Sequence, residues 1–121
     1  MLNCFVVGVG GFVGAVCRYL MGMIPMKNPE NFPMTTLLVN IIGAFVIGCI
    51  VSVAAKHGKA DPRLILFLKT GLCGGFTTFS TFALETTDLL GSGKLAVAAA
   101  YVLLSLVLGV AAVFAGQYIF R

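Results

Sequence analysis

The sequence predicts an all-α integral membrane protein of four transmembrane helices, the third broken mid-membrane, forming a single domain over residues 1–121. Three observations carry that prediction. Of the residues, 60% are hydrophobic and only 10% charged, with a mean hydropathy of +1.07. Soluble domains carry about a quarter charged residues, and a soluble fold of this size could not bury so much apolar surface. The apolar residues gather into four runs of spanning length, divided by short polar stretches containing proline or glycine. The third run is interrupted by Gly74-Gly75 and then Thr77-Thr78, residues that form helix poorly.

The first span covers about residues 2–24 and ends at a polar, helix-breaking loop of Pro25, Lys27, Asn28, Pro29 and Glu30. Its apolar start has no basic n-region, so it reads as a span and not as a removed signal peptide. The second covers about 32–55, before a loop with Lys56, His57, Lys59, Asp61 and Arg63. The third covers about 64–90 and the fourth about 95–120, joined by Gly91-Ser92-Gly93-Lys94. Barrel strands would show short alternating segments, which these runs are not. Four crossings place both termini on one side. That end holds Lys56, Lys59, Arg63 and Arg121, with Lys69 nearby, against Lys27 and Lys94 at the other, a weak lean toward cytoplasmic termini.

The net charge of +4 comes from scattered residues without a run or stripe, so it reads as topogenic charge, not as a nucleic-acid surface. Cys4, Cys17, Cys49 and Cys73 form no CxxC pair, which argues against a zinc or redox site. His57 is the only histidine and lies in a loop; no nucleophile–base pairing appears, so no enzyme is expected. Small residues recur at four-residue spacing in Gly10/Gly14, Ala44/Gly48 and Ser105/Gly109, a pattern that lets helix backbones approach closely in lipid.

Several polar groups sit where a bilayer should not hold them. Asn40 lies within Leu37-Leu38-Val39-Asn40-Ile41-Ile42, and an unpaired amide in hydrocarbon costs about 4–8 kcal/mol. It must either bond another helix or point its NH2 donors into a polar path. The break in the third span exposes backbone groups, tolerated at membrane depth only inside protein or beside water, and released carbonyls there could bind a hard cation such as sodium. Beyond it, Phe79 and Phe82 stack three residues apart, while Thr77, Thr81, Glu85 and Asp88 form a polar stripe on an ideal wheel. Phe ring edges carry partial positive charge and suit a small anion, although lipid contact or core packing explains such a pair too. Tyr101 and Ser105 share a face of the fourth span, and Arg18 lies toward the end of the first, able to snorkel, pair or attract anions.

These residues resemble the Fluc/CrcB family of fluoride channels. The resemblance spans nearly the whole chain and rests on the glycine-rich first span ending near Arg18, on Thr35-Thr36-Leu37-Leu38-Val39-Asn40-Ile41-Ile42-Gly43, and above all on Gly74-Gly75-Phe76-Thr77-Thr78-Phe79-Ser80-Thr81-Phe82 followed by Glu85. It implies a prokaryotic inner-membrane protein that assembles as an antiparallel, dual-topology homodimer with two pores at the dimer interface. It implies that Asn40, Phe79 and Phe82 line a fluoride path, with further polar contacts from Ser80, Thr81, Tyr101 and Ser105. Glu85 would lie near a pore end and Arg18 in a vestibule. A structural sodium ion at the dimer centre would be held by the backbone carbonyls of Gly74 and Thr77. The implied activity is passive export of cytoplasmic fluoride, with uncharged donors replacing its water and no lysine or arginine binding it too tightly for release.

Two rivals share the four-span format. A small multidrug-type proton-coupled exporter needs a carboxylate in the first span, which here holds Arg18 and no Asp or Glu. A non-transporting assembly subunit explains the glycines but neither Asn40 nor the Thr/Phe break.

Overall fold

The computed structural model describes residues 1–27 and 31–121, so part of the predicted first loop, Asn28 to Glu30, lies outside the described residues. Four segments are long and apolar enough to cross a bilayer: Leu2–Gly22, Met34–His57, Pro62–Gly91 and Leu95–Ile119. Each falls within a few residues of its expected bounds. We label them α1 (Leu2–Gly22), α2 (Met34–His57), α3 and α4 (62–76 and Phe79–Gly91, the two pieces of the third span) and α5 (Leu95–Ile119).

Local chemistry sets these ends. Asp61 caps α3, its Oδ1 accepting the Arg63 N–H at 2.9 Å with Pro62 at the first helical position. Over Leu66–Cys73 the helix widens to π-type turns before Gly74–Phe76 returns to α form. Helix then stops: Thr77 (φ −83°, ψ 157°) and Thr78 (φ −148°, ψ 115°) are extended. The expected break is therefore present, but it falls on the two β-branched threonines. The glycines before it remain helical.

Those glycines have a different task. A Cβ on Gly75 would lie 2.4 Å from the Gly11 carbonyl oxygen, and one on Gly14 2.2 Å from that of Leu72. Backbones of α1 and α3 thus meet directly, the close approach expected of the Gly10/Gly14 pair. Gly48 likewise closes α2 onto the Val113 carbonyl of α5, whereas Gly109 meets nothing within 4 Å in this chain.

A buried apolar cluster of Leu37, Leu89, Ala98 and Tyr101 ties α2, α4 and α5 together on the Phe82 side of the break. Around the bundle, Phe5, Phe12, Phe114 and many aliphatic side chains are exposed. A soluble monomer rarely presents such an apolar surface; for four spans in lipid it is the expected exterior.

Candidate functional site

The site is built from the interruption in the third span. At the end of α3, Thr77 turns back, its N–H and Oγ1 both donating to the Cys73 carbonyl at 3.0 and 2.9 Å. At the start of α4, Thr78 is the N-cap. Its Oγ1 accepts the Thr81 N–H at 3.2 Å and donates to Thr81 Oγ1 at 3.1 Å. Thr78 itself lies outside regular helix, so its peptide groups need other partners.

Asn40 of α2 satisfies both of them. The Thr78 N–H donates to Asn40 Oδ1 at 2.8 Å, and Asn40 Nδ2 donates to the Thr78 carbonyl at 3.1 Å. The amide's orientation follows from this pairing, because an N–H only donates and a carbonyl only accepts. One Nδ2 hydrogen is used, and the other meets no acceptor among the described residues. Asn40 also lines two grooves of about 260 Å³ each, which share Asn40 and Thr77 and therefore adjoin. Of the two destinations open for this residue in the sequence, the bond to another element is present, and the residue also lines grooves.

The first groove collects Asn40, Thr77, Thr78, Phe79, Phe82 and Ser105. Ser105 Oγ is buried and has no hydrogen-bond partner among the described residues. The Phe79 and Phe82 rings lie 5.8 Å apart, as their spacing on one face required. Phe82 continues to Tyr101 at 5.0 Å, and Tyr101 to Phe32 at 5.6 Å in a T-shaped contact. Phe79 is 78% exposed at one end of this row, while Tyr101 is wholly buried within it.

Tyr101 Oη donates to Glu85 Oε1 at 3.5 Å, at the long limit of such a bond. Glu85 and Asp88 line a further groove of about 200 Å³ with Asn31, Pro33, Ser92 and Lys94. Ser80 is exposed, with its Oγ 3.4 Å from Thr78 Oγ1. Arg18 is half-buried, and its Nε donates to the Gly75 carbonyl at 3.2 Å. There its charge meets the negative end of α3.

One expectation needs correction. Thr77 does not belong to the stripe of Thr81, Glu85 and Asp88. Two extended residues interrupt the helical phase, and Thr77 bonds back into α3 instead. Two residues at the site were not singled out from the sequence. Thr78 is its hub, and the spacing Thr78-x-x-Thr81 at a helix start was the available signal. Lys69, a charge inside a span, lines the second groove with Asn40, Gly74 and Thr77.

Among the described residues, no three His, Cys, Asp or Glu side chains gather as a metal site. A cation held here would rest on carbonyl oxygens. Those of Cys73, Gly75 and Thr78 already accept protein donors. No protein donor among the described residues reaches the carbonyls of Gly74 and Thr77.

Fold and site together define a multi-pass membrane protein whose polar groups gather at a discontinuous helix. Residues 5–117 match the family described as CrcB-like protein, Camphor Resistance (CrcB), and the chain belongs to that family. It is 48% identical to a protein of Agrobacterium fabrum over 96% of this chain and 94% of the relative. It is 42% identical to one of Ruminiclostridium cellulolyticum over 97% and 91%, and 43% identical to one of Chlorobaculum tepidum over 96% and 92%. Each of the three is named a fluoride-specific ion channel, FluC. With four apolar spans and bacterial relatives throughout its length, the chain is a prokaryotic multi-pass inner-membrane protein.

Proposed function

We propose that this protein is a passive, fluoride-selective pore that exports cytoplasmic fluoride. The family and the names of its relatives support the ion. The observation that carries the mechanism is the first groove: Asn40, Ser105 and the Phe79–Phe82 pair line one cavity at the break.

Fluoride is small and holds water strongly, so a bare pore would favour larger halides. Here the Asn40 N–H, the hydroxyls of Ser80, Thr81 and Ser105, and the positive edges of the two Phe rings replace that water in turn. None of these donors carries a full charge, which keeps each binding step weak enough for release. Glu85 stands at one end of the path and Arg18 near the break. Hydrogen fluoride enters cells uncharged and ionises inside; an inside-negative potential then drives the anion out by about 2.3 kcal/mol per 100 mV.

The pore is completed by a second copy in antiparallel orientation, giving two pores in a dual-topology homodimer. The open grooves and the exposed Phe79 fit such a closure, since lipid tails would solvate a polar groove poorly. The free carbonyls of Gly74 and Thr77 fit a structural sodium ion, which when bound supplies a fixed positive charge at the dimer centre. Purified protein reconstituted in liposomes should release fluoride quickly and retain chloride. Phe79→Ile and Phe82→Ile should each slow that release while the dimer still assembles. Chloride passing as readily as fluoride would refute the reading, and wild-type flux in both variants would remove the rings from the mechanism.

A further inference from the structure

Among the described residues, Lys69 is the one charged residue lining the second groove. It lies seven positions beyond Pro62, roughly 10 Å along the span at helical rise. It is exposed on the groove wall, and among the described residues no carboxylate pairs with it. An unpaired ammonium at such depth is costly unless it meets water, so intramembrane charges face wet cavities and mark ion paths. The other walls give it nothing to neutralise it: α2 contributes Asn40, Gly43, Ala44 and Ile47, and α5 contributes Val113. Cys73, the other titratable residue there, is buried.

The position matters as much as the charge. The second groove adjoins the first through Asn40 and Thr77, while Glu85 and Asp88 follow Phe82 along α4 and line a separate groove with Lys94. Along the third span the order thus runs from Lys69, past uncharged donors and rings, to Glu85 and Asp88.

We infer that Lys69 is an anion-steering residue: its charge concentrates fluoride beside Asn40 and sets the rate at which the ion enters from that side. This rests on the pore reading above. Lys69 does not replace the ion's water; that task stays with the neutral donors. A hydrated ammonium on an open wall acts at long range, so its effect is screened by salt.

The test is initial fluoride efflux from liposomes at low fluoride, with isethionate setting the ionic strength at about 0.01 M or about 1 M, where the Debye length is roughly 30 or 3 Å. At low ionic strength Lys69→Gln should slow efflux by about tenfold, the lower end of what charged clefts achieve. At high ionic strength the difference should shrink below about twofold, and Lys69→Arg should match wild type throughout. Lys69→His compares one protein in two charge states. At low ionic strength its efflux should fall several-fold from about pH 6 to about pH 8, while wild type, which retains His57, stays flat. Equal efflux of Lys69→Gln and wild type at low ionic strength would overturn the inference and leave a snorkelling lysine. So would a loss that salt does not alter. Should Lys69→Gln fail to assemble, a pH-independent Lys69→His decides against it. Failure of the wild type to pass fluoride instead refutes the pore itself.

Discussion

Replacing Asn40 with leucine removes both hydrogen bonds that hold Thr78 while keeping the branched shape of the side chain. The Thr78 N–H and carbonyl, bonded at 2.8 and 3.1 Å in the native chain, would then be left without partners at membrane depth. Each unsatisfied buried group costs about 1–3 kcal/mol, so the variant should lose about 2–6 kcal/mol of stability. The assay is an SDS titration of purified protein in mild detergent, followed by helical circular dichroism. Asn40→Asp provides the internal control. An ionised carboxylate keeps an acceptor for the Thr78 N–H but offers no donor to the carbonyl, so about 1–3 kcal/mol should be lost. Protonation restores an O–H donor, so this variant, unlike Asn40→Leu, should regain stability as pH falls. Efflux should also suffer in Asn40→Leu, because a hydrogen bond to a charged ion contributes about 1.5–3 kcal/mol, or roughly 10- to 150-fold. An Asn40→Leu midpoint within about 0.5 kcal/mol of wild type would refute the assignment of Asn40 as the support of the break, since that is far below the cost of two lost bonds.

Ser105→Ala removes a buried hydroxyl that has no partner among the described residues, so stability should stay level or rise by up to about 2 kcal/mol while fluoride efflux falls several-fold; a matched loss of both in the same two assays would make the serine structural. Gly75→Ala should push α1 and α3 apart, because its Cβ would lie 2.4 Å from the Gly11 oxygen, at a cost of about 1–3 kcal/mol in SDS titration. Gly74→Ala meets nothing within 4 Å inside one chain, so the single-chain fold should survive. A shift from dimer to monomer on gel filtration in Gly74→Ala would place this glycine at the interface between copies. Tyr101→Phe keeps the ring row but deletes the bond to Glu85, and should slow efflux with little change in unfolding midpoint.

The four spans were legible because lipid imposes a simple rule. Apolar stretches long enough to cross stand out against loops holding Pro25, Lys56 and Lys94, whatever their neighbours do. The interruption was legible for a similar reason: four poor helix formers close together weaken any helix. Its placement was not. Gly74 and Gly75 have the lower helix propensity, yet they stay helical because Gly75 packs against Gly11, a tertiary contact that outweighs propensity. The polar stripe failed at Thr77 because a helical wheel assumes continuous phase, which two extended residues destroy. Arg18 could be given three destinations from the sequence. Its bond to the Gly75 carbonyl depends on how α1 lies against α3, and span length says nothing about that.

By itself, then, the chain's order of residues determined what kind of solvent surrounds it, how many times it crosses, which span is interrupted and which side chains are too polar to face lipid. These follow from transfer free energy and local backbone preference, each a property of a short segment. Only the tertiary structure decided that Asn40 spends half its donors on Thr78, that the Ser105 hydroxyl meets no partner among the described residues, and that Lys69 shares a groove with both Asn40 and Gly74. Those outcomes depend on which residues distant in the chain come within hydrogen-bond reach, and packing settles that between segments.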